Sequence, residues 1–216
     1  EGIRRLPPGH SLTFHIVDRR VELNQWWRLS FAEEESVSVW DWQDRIRSTL
    51  SEATQRWTLA DVPYGCLLSG GLDSSALACL AAELNPNLDI PVISAIYPGA
   101  AGDESKFAIE CIEKYPNLKP HFIDLRSEKI DFLDELNSTI ISQESPIADG
   151  SMIAHNLLMR HIASLGIKVV LSGNGADELF GGYTNTSVPM VYSRHLKSYI
   201  FGRKTTTRSK LLFHLM

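Results

Sequence analysis

Between residues 64 and 180 the sequence alternates short apolar runs with longer stretches of helical period, and that alternation sharply limits the available folds. Residues 64–68, 91–97, 121–124 and 167–171 read as strands. Residues 74–84, 103–115, 128–142 and 151–165 read as helices, and another helical turn begins at Asp177. Each apolar run is too short for a helix and is bounded by turn residues. Strands interleaved with helices bury their apolar faces best as a parallel sheet covered on both sides. The fold class predicted is therefore α/β, with a doubly wound parallel sheet.

The segments before this alternation differ in character. Arg5-Leu6-Pro7-Pro8-Gly9-His10 reads as a turn, followed by β-rich patches at 12–17 and 21–29,. Residues 31–38 are acidic and Ser-containing, and read as a linker or helix lead-in. A helix follows from Val39, with Trp42, Ile46, Leu50, Ala53 and Trp57 on one side, until Asp61-Val62-Pro63 stops it,. The organisation predicted is a β segment at 1–30, a linker and helix at 31–60, and the α/β domain at 61–216. The chain opens at Glu1 inside a β-like segment and closes on an apolar run with no stop signal, which reads as a piece of a longer polypeptide,.

Charge and composition narrow the partners. With 21 Lys and Arg against 26 Asp and Glu, the net charge is −5, a balance that speaks against a nucleic-acid-coating protein,. No apolar run reaches membrane-span length, and the N-terminus lacks a signal-peptide pattern,. Cys66, Cys79 and Cys111 are odd in number and sit in apolar stretches, which suits buried thiols in a reducing cytoplasm better than a disulfide framework,.

The chemistry concentrates at two strand ends. After the first strand comes Ser69-Gly70-Gly71-Leu72-Asp73-Ser74-Ser75. A glycine pair there lets the backbone turn tightly and approach a ligand, and the amides of the following helix N-terminus favour an anion. The three serines add hydroxyls, and Asp73 suits a magnesium ion,. After the fourth strand comes Ser172-Gly173-Asn174-Gly175-Ala176-Asp177-Glu178-Leu179-Phe180-Gly181-Gly182-Tyr183, with the same glycine and serine turn followed by acids. Two such loops can embrace one nucleotide, with Asp73 and Asp177 sharing the metal. Three other signatures are absent from the sequence: a Walker loop, a G-x-G-x-x-G turn and an H-E-x-x-H helix,.

Residues 69–75 match S-G-G-x-D-S-S, the pyrophosphate-loop signature of ATP-pyrophosphatases. Together with residues 172–183, which correspond to S-G-E-G-x-D-E-x-F-G-G-Y, the chain resembles the synthetase domain of glutamine-hydrolysing asparagine synthetases. Ile3-Arg4-Arg5-Leu6-Pro7-Pro8-Gly9-His10-Ser11-Leu12 resembles the end of the glutaminase domain that precedes it. The resemblance implies a sheet of the adenine-nucleotide α-hydrolase type and an ATP-dependent ligase that converts a carboxylate to its acyl-adenylate, releasing pyrophosphate. An amine or ammonia then forms the amide. In its fullest form the reading is asparagine synthesis from aspartate and glutamine-derived ammonia.

By this resemblance ATP and Mg²⁺ are the cofactors. Ser69, Gly70, Gly71, Asp73, Ser74 and Ser75 hold the pyrophosphate; Leu67 and Ile96 flank adenine and ribose; Ser172 and Gly173 approach from the other side. Asp73 and Asp177 hold the metal, and Asn174 and Asp177 occupy catalytic positions. The implied partners are a small-molecule carboxylate, ammonia or an amine, and the glutaminase and C-terminal helical regions of the parent chain, with a homodimer as one arrangement. Neither membrane nor nucleic acid is among them. Of the downstream lysines, Lys197, Lys204 and Lys210 lie in the direction of the family's catalytic lysine, with no motif to choose between them. One departure matters: the family carries glutamate where this chain has Asn174, and an amide cannot take up a proton in the useful range. That difference favours two alternatives, a peptide or secondary-metabolite amide cyclase and an inactive ATP-binding remnant.

Overall fold

The computed structural model describes residues 3–30, 37–100, 102–125, 131–146 and 150–183. The chain divides into two compact units, Glu1–Ile46 and Arg47–Met216, a division that falls inside the first helix. The linker expected at 31–38 lies largely outside the described residues.

In the first unit, β1 (His10–His15) pairs antiparallel with β2 (Arg20–Gln25), His10 opposite Gln25 and His15 opposite Arg20. The hairpin is closed at its open end by Trp26 and Trp27, whose amides both donate to the Gly9 carbonyl at 2.9 and 3.2 Å. Helix α1 (Val39–Trp57) then starts at a serine. Ser38 Oγ accepts from the Asp41 amide at 3.1 Å and donates to the Asp41 carboxylate at 2.7 Å, satisfying an amide that the first turn leaves free,.

The second unit holds the sheet. Its strands are β3 (Tyr64–Leu67), β4 (Ile90–Ile96), β5 (Leu118–Asp124) and β6 (Val169–Leu171), all parallel, in the order β5-β4-β3-β6. The helices between them are α2 (Leu72–Leu84), α3 (Ser105–Lys114), α4 (Phe132–Gln143), α5 (Ser151–Ser164) and, after β6, α6 (Ala176–Phe180). Strand alternation sorts the apolar side chains into two cores, one on each face. Cys66, Ile90, Val92, Leu118 and Leu171 pack with Ala78, Ala81 and Ala82 of α2 and Ala108 of α3. Leu67, Ile93 and Val170, the sequence neighbours of Cys66, Val92 and Leu171, pack with Ile123 of β5 and with Leu157, Leu158 and Ile162 of α5. Helices therefore cover both faces, as the doubly wound reading expects. Each fully buried Leu, Ile or Val among these contributes about 1.5–3 kcal/mol, and Leu68, Ile90, Ile93, Leu118 and Val92 are the largest of them.

The predicted boundaries shift for local reasons. β5 begins at Leu118 rather than His121, because Lys119 and Pro120 hide the strand from an apolar search. Proline is tolerated there because β5 is an edge strand of the described sheet,. The helix expected from residue 128 starts at Phe132, capped by Asp131, which accepts from the Leu133 and Asp134 amides at 3.0 and 3.2 Å. Residues 126–130 lie outside the described ones.

The strand order places the site. From β3 the chain winds outward through β4 to β5, then returns to β6 on the other flank of β3. The winding direction thus reverses between β3 and β6, and such a switch point opens a crevice at the strands' carboxyl ends.

Candidate nucleotide site

Both loops singled out in the sequence leave the sheet at that crevice: residues 69–71 follow β3 and residues 172–175 follow β6. The first loop is fixed from within. The Ser69 and Ser74 hydroxyls lie 2.9 Å apart. Ser74 Oγ also accepts from the Ser69 amide at 3.2 Å and donates to the Gly71 carbonyl at 3.1 Å, and the Gly71 amide donates to Ser69 Oγ at 3.2 Å. Ser94 of β4, itself buried, donates to the Leu68 carbonyl and anchors the strand end beneath the loop. Gly70 takes a left-handed φ of 96°, and a Cβ built on it would lie 2.2 Å from the Glu104 carbonyl oxygen. Position and conformation both require glycine there.

Helix α2 opens on this loop with Gly71 at its N-cap and no side chain capping its first turn. Its free amides and its macrodipole present partial positive charge to the crevice. The second loop rests directly on the first turn. A Cβ on Gly173 would stand 2.8 Å from the Ser74 nitrogen and 2.9 Å from the Asp73 carbonyl carbon, so only a glycine lets the loops meet. Beyond it, Gly175 with φ 96° leads into α6, whose first turn carries Asp177 and Glu178.

Together the loops wall a cavity of about 620 Å³. Of the residues named from sequence, Leu67, Ser69, Gly71, Asp73, Ser74, Ser172, Gly173, Asn174 and Asp177 line it. Gly70 shapes the loop from behind, and the Ser75 hydroxyl is buried with no hydrogen-bond partner among the described residues. Ile96 ends β4 on the neighbouring strand and is not among the lining residues. Leu72, Gly175, Glu178 and Tyr183 line the cavity without having been chosen as site residues. Gly175, Glu178 and Tyr183 stand inside the second motif, which was the signal for them. Leu72 is 84% exposed and carries no pattern that points to a ligand.

Tyr183 Oη donates to the Glu178 carboxylate at 3.0 Å. That bond and the charge of Glu178 hold the phenol above its usual range, with smaller contributions from Asp177 and Asp73. The carboxylates of both loops therefore act on one hydroxyl at the cavity rim. The oxygens offered are carboxylates of Asp73 and Asp177 with the serine hydroxyls, a hard donor set that fits magnesium,. Among the described residues no group of three or more His, Cys, Asp or Glu is gathered so as to hold a metal ion, at the cavity or away from it. No helix among them is long and apolar enough to cross a membrane. The lysines at 197, 204 and 210 lie outside the described residues.

The sequence model of the asparagine synthase family matches residues 45–213. The chain is 29% identical to asparagine synthetase (glutamine-hydrolyzing) 1 of Arabidopsis thaliana over 206 residues, covering 85% of this chain and 32% of that protein. It is 30% identical over 202 residues to a probable asparagine synthetase (glutamine-hydrolyzing) of Schizosaccharomyces pombe, covering 82% of this chain and 34% of that one. The chain thus spans about a third of the length of these relatives. Among solved structures it is similar to an NH3-dependent NAD synthetase from Campylobacter jejuni, with TM-score 0.44 and 21% identity over 66% of this chain and 61% of that one.

Proposed function

The chain belongs to the asparagine synthase family, and on that premise we propose that its parent protein is an ATP-dependent ligase that makes an amide from a carboxylate. The observation that carries the proposal is the meeting of two loops at one switch point, with uncapped helix amides, hydroxyls and two carboxylates around a single cavity. ATP supplies the activation: a carboxylate oxygen attacks the α-phosphorus, the bond to the β-phosphate bridging oxygen breaks, and pyrophosphate leaves an acyl-adenylate. Ammonia or an amine then attacks the acyl carbon and AMP departs with the C–O electron pair.

The chain's own residues bind and orient. The amides at the start of α2 and the hydroxyls of Ser69 and Ser74 hold the pyrophosphate, with Gly70 setting the turn,. Leu67 and Ile96, at the ends of adjacent strands, flank the adenine and ribose. Ser172 and Gly173 close the opposite side. Asp73 and Asp177 would hold Mg²⁺, which would neutralise charge on the phosphate oxygens. Catalysis of this kind is positioning and charge neutralisation.

Asparagine synthesis from aspartate and glutamine-derived ammonia is the finer reading that the relatives' names suggest, with the glutaminase in the remainder of the parent chain. Asn174 favours the second reading, a ligase acting on a different carboxylate or peptide. It lines the cavity where the resemblance expects a proton-accepting glutamate, and its amide can only hydrogen-bond,. Pyrophosphate–ATP exchange by the parent protein with magnesium separates the two. Exchange that depends on aspartate supports asparagine synthesis; exchange that ignores aspartate but responds to another carboxylate supports the second reading. Absence of exchange with every carboxylate, despite ATP binding, overturns the ligase assignment.

A further inference from the structure

The end of the second motif folds back on its first acid. Gly181 caps α6 with a left-handed φ of 72° and reverses the chain. The Gly181 and Gly182 amides both donate to the Asp177 carbonyl, at 2.9 and 3.1 Å. One residue on, the Tyr183 hydroxyl returns to the Glu178 carboxylate. The returning chain lays Gly182 against Asp177. A Cβ built on Gly182 would lie 1.8 Å from Asp177 Oδ1, 2.9 Å from its Cγ and 3.4 Å from its Cα, and these are the three nearest atoms.

The backbone does not ask for glycine at this position. Gly182 is exposed, and its φ lies outside the left-handed region that Gly181 occupies. An ordinary φ in the open accepts any side chain. The obstacle at Gly182 is the Asp177 carboxylate. Gly70 and Gly173 differ, because a Cβ on either would strike backbone of another segment. Substitution there must move a loop, whereas at Gly182 it need only move a carboxylate, which can turn to another rotamer.

We propose that Gly182 is a positioning residue: the side chain it lacks leaves the berth in which the Asp177 carboxylate is held facing the cavity. The berth itself is a matter of geometry; its bearing on magnesium rests on the nucleotide-site reading above. A methyl group at position 182 displaces Asp177 Oδ1 and turns the side chain away. The first loop keeps its form, because it is fixed by bonds among Ser69, Gly71 and Ser74. Gly182→Ala therefore removes one carboxylate from the metal's donor set and spares the pyrophosphate loop.

The test is a crystal structure of the Gly182→Ala parent protein, joined to calorimetric titration with ATP in magnesium and in EDTA. Wild type, Gly182→Ala, Asp177→Ala and the double variant are compared. The crystal structure should show Asp177 in a new rotamer on an unchanged backbone. Affinity for ATP in magnesium should fall about 10-fold in Gly182→Ala, with affinity in EDTA unchanged. In the Asp177→Ala background the glycine substitution should cost nothing further, because the carboxylate it displaces is gone. Equal losses in both backgrounds, or an unmoved Asp177 over a shifted backbone, would overturn the proposal. Wild-type protein that binds ATP equally in magnesium and in EDTA would instead overturn the nucleotide-site reading and the metal role with it, and the rotamer would still measure the berth.

Discussion

The two loops of the cavity are alike in composition and unlike in how they are held. Residues 69–75 are laced by bonds among Ser69, Gly71 and Ser74 and continue into a helix of 13 residues. Residues 172–175 lead into a helix of only five residues and take their position from Gly173 seated on the Asp73–Ser74 backbone. The first loop is preorganised by its own sequence; the second is organised by the first. Long helices and internal bonds stabilise a turn locally, whereas a short helix lacks the length to do so. The carboxylates of Asp73 and Asp177, one from each loop, therefore face the same cavity only while the interloop contact holds.

Four substitutions probe that difference between the loops. Gly70→Ala attacks the self-held loop where its carbon would strike the Glu104 carbonyl and the left-handed φ is unfavourable. A loss of about 3 kcal/mol is expected from overpacking and backbone strain together, measured by chemical denaturation. Gly173→Ala attacks the contact between loops and should cost about 1–3 kcal/mol. It should also weaken ATP binding more than Gly70→Ala does per unit of lost stability, which calorimetric titration would show. Ser69→Ala removes one hub of the first loop's lacing and should cost about 1 kcal/mol, with faster hydrogen exchange at the Gly71 amide and none at Gly175. The smallest effect belongs to Glu178→Gln. Without that carboxylate the Tyr183 phenol should titrate lower, toward its ordinary range, as followed by NMR, while the unfolding midpoint stays unchanged.

Much of this was legible in the sequence, for identifiable reasons. The strands betray themselves as apolar runs because both their faces are buried, as Cys66 and Leu67 show by joining opposite cores. The loops betray themselves because serine, glycine and aspartate crowd at strand ends. What stayed hidden depends on distant pairings. That Gly173 must be glycine follows from β6 returning beside β3, which no local pattern encodes. The contact of the Glu104 carbonyl with Gly70 appears only when α3 is set against the loop.

The most direct test of the two-loop account is a crystal structure of the protein with magnesium and a non-hydrolysable ATP analogue. The phosphates are expected between Ser69–Gly71 and Ser172–Gly173, with Asp73 and Asp177 both facing the metal. Phosphates bound elsewhere, or held by the first loop while Asp177 turns away, would contradict it.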